Sequence, residues 1–259
     1  MSTLASEILT RVQSNWPTSY FSDELTAPIR LRHLNEVQRR VCRAHNFAFM
    51  KQEVTRSTVD ETQKYSVPTA EASGTTWTEV IAGSTILRFK RDISLELINS
   101  QSYRVPLIKL HKQLLEDKKV LAKETGKGIP RFYDIDQQRI WLYKIPEHTY
   151  NAGSAWTMNF EFFGYLADLA TGDSNELTDN HNLILEYGAT ARGFAFGKDW
   201  READRWTQMA QDIFLQMVDE DTDLQLSGQE EGMFPDPANS VGGGDPYKGF
   251  LQGTDWYTS

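Results

Sequence analysis

A chain of 259 residues with 39% apolar and 12% aromatic content can bury a core, as one elaborated domain or two small ones. No run of 18 apolar residues and no basic-then-apolar N-terminal pattern occurs, so a membrane span and export are not expected, and the reading is of a protein made and used in a cytoplasm. A net charge of -9 and a pI near 5.1 argue against tight nucleic-acid binding, and the one cysteine, Cys42, excludes a disulfide framework and a CxxC metal site.

Leu4, Ile8, Val12 and Trp16 recur four residues apart, which predicts a short amphipathic helix over Leu4 to Asn15. After Pro17, Thr26 stands as an N-cap before Ala27 and Pro28. Leu34, Val37, Val41 and Ala44 then mark the inner stripe of a second helix reaching about His45. Cys42 falls within it as a small core or boundary residue. The other face carries Arg30, Arg32, Arg39, Arg40 and Arg43, a solvated face that could also meet phosphates.

From Lys51 the pattern changes to short β-branched and aromatic segments: Glu53 to Thr58, Lys64 to Val67, Thr85 to Phe89, Ile93 to Ile98 and Ser102 to Val105. They read as hairpin strands. Trp77, between turn-rich stretches, is expected to tuck its ring over the sheet, the alternative being a contact residue. Leu107, Leu110, Leu114 and Leu121 predict a partly buried helix stopped by Gly126 and Gly128, with Lys118, Lys119, Lys123 and Lys127 on or beside its open side. The loop around Lys127 lacks the G-x-x-x-x-G-K-[ST] spacing of a phosphate cradle, and Pro130 removes an amide donor. Arg131 to Ile135 and Arg139 to Tyr143 alternate across an Asp136-Gln137-Gln138 turn. With Trp156 to Phe163 they predict a β-meander bearing Trp141, Tyr143, Phe160 and Phe162 on its faces, and Pro146 to Gly153 reads as a loop.

Ile184, Tyr187, Ala191 and Phe194 form the stripe of a further helix ended by Gly197. Asp199 caps the next, with Glu202 three residues on, and Ala203, Trp206, Ala210, Ile213 and Met217 continue the three-four pattern. This is an antiparallel helical hairpin, in which Trp206→Asp is expected to unfold the domain. The acidic run Asp219 to Asp223 opposes the helix dipole and predicts an end near Val218. From Ser227 the chain is rich in glycine and proline, yet it carries Met233, Phe234, Tyr247, Phe250, Leu251, Trp256 and Tyr257. Such spaced aromatics suit an extended arm that orders on docking to another subunit.

No catalytic constellation emerges. The five histidines have no metal-ligand spacing, and the cysteine has no evident base. Asp134 and Asp136 share a strand face as paired carboxylates would, but Asp136 reads as the opening of a turn. Asp168, Asp173, Glu176 and Asp179 could surround calcium, with Gly172 misplaced for an EF-hand, so a loop capping the next helix is the reading. No cofactor is expected.

The order of Asn35-Glu36-Val37-Gln38-Arg39-Arg40-Val41, Tyr65-Ser66-Val67-Pro68, Gly128-Ile129-Pro130-Arg131-Phe132-Tyr133, Arg139-Ile140-Trp141-Leu142-Tyr143-Lys144-Ile145-Pro146 and Glu186-Tyr187-Gly188-Ala189-Thr190-Ala191-Arg192 resembles the head-to-tail adaptor (connector) proteins of tailed bacteriophages. The resemblance runs from about Leu4 to Val218. Ala70 to Gly83 and everything after Asp219 depart from the pattern.

The resemblance implies an α+β protein: a helical bundle from residues 1–50 and 166–225, a β-rich insertion over 51–165 and an arm over 226–259. Leu34, Val37, Val41, Ile184, Tyr187, Phe194, Trp206 and Ile213 would form the bundle core. It further implies a non-enzymatic virion protein in a homo-oligomeric ring, usually of about twelve copies, between the portal protein and a tail or nozzle protein. Genomic DNA would pass through the lumen without specific binding. The alternatives are another neck or tail component, such as a nozzle or head-completion protein, a DNA-binding accessory protein, and lastly a hydrolase.

Overall fold

Helical stripes at both ends of the chain and alternating segments between them sort into two compact units in the computed structural model, Met1–Phe49 with Asp168–Ser259, and Met50–Ala167. The class is α+β. The structure describes residues 3–16, 26–68, 77–79, 86–110 and 126–227. The expected arm, except Leu226 and Ser227, lies outside them, as do residues 111–125 of the expected lysine-bearing helix.

The helical unit contains α1 (Ala5–Ser14), α2 (Ala27–Ala44), α3 (Glu176–Asn180), α4 (Asn182–Phe196) and α5 (Trp200–Ser227). α4 is apolar nearly all round, so it is the element that α1, α2 and α5 all pack against. Two glycines permit this. A Cβ on Gly188 would stand 2.7 Å from a Val37 methyl carbon, and one on Gly193 would stand 2.0 Å from the Trp16 ring. α1 lacks a side-chain cap at Leu4, and its first amides, Ala5 and Ser6, donate instead to the carbonyls of Asp173 and Thr171. Asn175 and Thr178 close a capping box on α3. Between α4 and α5, the Asp199 carboxylate accepts from the Glu202 amide at 3.3 Å, and Lys198 rather than Gly197 takes the left-handed conformation, at φ 63°.

Two expectations for α5 are corrected. The helix runs to Ser227 instead of ending near Val218. Asp221, in the acidic run, is buried; its carboxylate accepts from the Ala48 amide at 2.6 Å and lies 2.9 Å from His45 Nε2. Tertiary partners take up that charge, and the helix terminus lies a further two turns away. The buried stripe is also displaced. Ala203, Thr207, Ala210, Phe214, Met217 and Val218 are buried, whereas Trp206 and Ile213 are half-buried. Trp206 stacks at 5.4 Å on Tyr187, itself half-buried, so these three expected core residues form a rim. Stripes through 206 and 213 or through 207 and 214 share residues 203, 210 and 217, and only packing against Phe47 and α4 selects the second. Leu34, Val37, Val41, Ile184 and Phe194 are buried.

The second unit faces two sheets across one core. The strands are β1 (Lys51–Ser57), β2 (Lys64–Ser66), β3 (Thr78–Glu79), β4 (Ile86–Ile98), β5 (Arg104–Pro106), β6 (Ile108–Lys109), β7 (Lys127–Gly128), β8 (Phe132–Asp136), β9 (Arg139–Tyr143), β10 (Ile145–Pro146) and β11 (Thr157–Leu166). One sheet runs β3-β1-β11-β4-β5, the other β2-β9-β8-β6, and β7 and β10 form a separate parallel pair. Val54, Leu95, Leu97, Met158, Phe160 and Phe162 of the first sheet meet Tyr65, Tyr133, Ile140 and Leu142 of the second. Trp77 packs its ring on Phe160 at 5.9 Å and donates Nε1–H to the Ser66 carbonyl.

Several strand expectations are corrected here. β1 and β2 do not pair with each other, and β9 and β11 belong to different sheets, so there is no meander beyond the β8–β9 hairpin. That hairpin turns on Gln137 and Gln138, both left-handed, the geometry that matches strand twist. Of the two expected strands Thr85 to Phe89 and Ile93 to Ile98, the described residues, from Ile86 on, belong to one long strand, β4, whose pairing with β11 slips at three bulges. Leu107 does not start a helix. Its amide donates to Leu95 of the first sheet and the next amide, Ile108, to Arg131 of the second, so this segment crosses from sheet to sheet.

Candidate functional site

The polar residues of the two helical motifs are taken up by partners within the helical unit. Asn35 on α2 clamps the Leu169 backbone, its Nδ2 donating to the carbonyl at 3.0 Å and its Oδ1 accepting from the amide at 2.8 Å. Gln38 accepts from Asn175 Nδ2 at 2.8 Å, and Arg39 forks onto Asp168 with Nε–Oδ1 at 2.9 Å. These contacts fix the loop that leads into α3. On α4, Glu186 accepts from Asn15 and pairs with Arg11 at 3.4 Å, while the Thr190 carbonyl accepts from Trp16 Nε1 at 3.2 Å. Arg192 pairs with Glu36 across α2 and α4.

His33 lies beside that pair. Its Nδ1 accepts from Arg192 Nε at 3.3 Å, so the ring is neutral with its proton on Nε2. Burial, then the Arg192 charge, lowers its pKa from 6.5 to about 4. The unfolded chain therefore binds the extra proton first, and stability falls as pH drops from about 6.5 toward about 4. Over that window the loss from His33 is on the order of 2–3 kcal/mol. Urea unfolding of the parent and of His33→Gln, at pH 7 and pH 5, measures it; the same pH dependence in both chains would refute the assignment.

The side chains singled out for chemistry are engaged in the same way. Asp173 accepts from the Ala170 amide, Asp179 from the Thr3 amide, and Asp168 holds Arg39, which makes the 168–179 loop a capping loop. Asp134 is buried and accepts from the Ile135 amide, and Asp136 closes β8 at the turn. Arg30 bonds Gln13 and Arg32 pairs with Glu36 at 3.2 Å. Among the described residues no group of His, Cys, Asp and Glu could hold a metal ion, and no helix is long and apolar enough to cross a membrane. A cleft of about 240 Å³ between the start of α4 and α5 offers His181 and Glu220, with Leu183 and Ile213 on its walls.

The β motifs are structural in kind as well. The Tyr65 hydroxyl donates to the carbonyls of Val59 and Thr62, closing the turn before β2. Gly128 sits at φ 155° with the Lys144 chain 3.3 Å from where a Cβ would be. Tyr133 donates to Asp92 at 2.8 Å, and Lys109 pairs with the same carboxylate at 2.6 Å; burial and this bond push the phenol well above its usual range.

Sequence reasoning missed Asp221 and His45, because an acidic run at an expected helix end gives no sign of a buried partner. The arm residues Met233, Phe234, Tyr247, Phe250, Leu251, Trp256 and Tyr257 lie outside the described residues. A family model described as SU10 adaptor protein matches residues 2–232. No curated protein matches the chain.

Proposed function

Because the chain belongs to the SU10 adaptor protein family, a family of phage head-to-tail adaptors, we propose that it is a structural virion protein forming a ring between portal and tail. In that position it joins the capsid to the tail and leaves a conduit for the genome, without catalysis and without a cofactor. The observation that carries this reading is the family match over 2–232. A ring of about twelve copies in the virion neck fits closed heterologous assembly.

Charge supports the conduit. Acidic side chains outnumber basic ones in the helical unit, while the β-rich unit is near balance. A lumen lined by the acidic unit would repel the DNA backbone and let it slide. The arginines of α2 that a DNA-binding accessory protein would use are spent on partners within the chain, at Arg30, Arg32 and Arg39, which favours the adaptor reading. The docking residues proposed for the arm, from Met233 onward, all follow the end of the family match, so we assign them to this chain's own portal or neighbouring subunit.

A cryo-electron reconstruction of the portal vertex, compared with particles carrying the chain cut after Ser227, tests this. The full chain is expected in the ring beneath the portal, and the shortened chain is expected to fold but fail to join it. Undiminished incorporation of the shortened chain would remove the arm's role, and a ring built of another chain would move this protein to a nozzle or head-completion role.

A further inference from the structure

Three loops meet at one end of the β-rich unit and are tied together by hydrogen bonds. Thr58, after β1, donates its amide to Trp156 at 2.7 Å, and its hydroxyl lies 3.3 Å from His148 Nε2. In the β4–β5 turn, the Ser100 amide donates to Asn151 Oδ1 at 2.8 Å. Each loop presents a large apolar side chain to solvent: Val59, Tyr103 and Tyr150. Beside them Lys127 bonds Glu61, and Asp60 and Glu147 are close enough to raise the lysine pKa further. Three carboxylates, Glu61 in contact and Asp60 and Glu147 at longer range, thus act on one ammonium, and this apolar end is acidic.

A second patch lies elsewhere on the same unit, with the opposite charge. Ile93 is the extra residue of a bulge between the pairs Glu161↔Ser94 and Phe162↔Asp92, which leaves it exposed. The Asp92–Lys109 pair brings β6 alongside, and the Ile108 amide donates to Arg131 at 2.9 Å. Arg91 and Arg131 are exposed and pair with no carboxylate among the described residues, whereas Lys109 and Asp92 neutralise each other. Tyr103 of the first patch, 68% exposed, and Ile108 of the second, 60% exposed, are the two most exposed large apolar side chains among the described residues.

We propose that these patches are the two halves of a head-to-tail contact between copies of this chain, the loop end of one β-rich unit seating on the Ile93–Ile108 edge of the next. Either patch meeting its own copy would bring like charges together, and only the unlike pairing is complementary. A contact between two different surfaces of identical chains is heterologous and closes into a ring when its rotation permits. Pro106, on the edge strand β5, lacks the amide that ordinary ladder extension needs, so the side chains set the pairing. The inference rests on the ring reading above and names the surface that builds the ring.

The test uses the purified full chain, without portal, by sedimentation velocity and mass photometry. The parent is expected to self-associate, less so as salt rises. Asp60→Lys with Glu147→Lys, and separately Arg91→Glu with Arg131→Glu, should each raise the dissociation constant about tenfold or more. An equimolar mixture of the two variants should reassociate, since every contact in an alternating ring then pairs opposite charges. The single changes Asp60→Lys and Arg131→Glu, both at exposed positions, should act in the same direction with unchanged melting. Variants that associate like the parent, a mixture that stays dissociated, or a parent that is monomeric throughout would each overturn the proposal. Absence of the chain from the portal vertex would count against the neck assignment alone, because self-association is measured without the portal.

Discussion

Phe214→Ala is expected to lower the unfolding free energy by about 3–5 kcal/mol, the cost of emptying a fully packed aromatic site. Phe214 is fully buried on α5 and meets the Phe47 ring edge-on, with centroids 6.1 Å apart. Small domains are stable by only about 5–15 kcal/mol, so this one change removes about a fifth of the margin or more. Trp206→Ala, by contrast, should cost about 1–2 kcal/mol, since the indole is half-buried and its main partner is the equally half-buried Tyr187. Trp206→Asp is accordingly expected to leave a folded protein, contrary to the expectation from spacing alone, whereas Phe214→Asp should unfold the helical unit. Urea titrations of the four variants decide it. Equal losses at 206 and 214 would return Trp206 to the core and refute the displaced stripe.

Gly193→Val carries the other large effect, a loss of about 2–4 kcal/mol from overpacking and from displaced Trp16. A Cβ at residue 193 would stand 2.0 and 2.3 Å from two atoms of the indole, closer than any rotamer adjustment can relieve. Trp16 cannot simply swing aside, because its Nε1 donates to Thr190 one turn earlier on α4. α1 must therefore shift as a body or undock, although the helix itself prefers valine to glycine. In the background of Trp16→Ala the same substitution should cost far less, and the non-additivity of the pair is the measurement. A Gly193→Val protein as stable as the parent would show that α1 does not depend on this contact.

Those contacts explain what the family signature encodes. Asn35, Glu36, Val37, Gln38 and Arg39 on α2 each meet a residue of the return segment or of α4; Gly188 and Arg192 reciprocate two of these contacts, while Glu186 and Thr190 hold Asn15, Arg11 and Trp16. The motifs lie about 150 residues apart in the chain and are one packing unit in space, with no catalytic arrangement among them. Each half could be noticed in the chain, but which partner each polar side chain takes depends on approach angles between helices that periodicity does not contain.

By itself the sequence determined the α+β class, the family, the helices α1, α2 and α4 with the buried stripe of Leu34, Val37 and Val41, the Asp199 cap and the Gln137–Gln138 turn. All of these rest on local spacing, capping or turn chemistry, which neighbours in the chain impose. Tertiary structure alone decided the rest. It assigned β1 and β2 to different sheets, placed β11 between β1 and β4, chose the 207–214 stripe over 206–213, and carried α5 past the acidic run by burying Asp221 against His45 and the Ala48 amide. It also gathered Val59, Tyr103 and Tyr150 from three loops onto one end of a sandwich. Strand partners and charge partners are selected by contacts between residues distant in the chain, where period and propensity leave several pairings equally good.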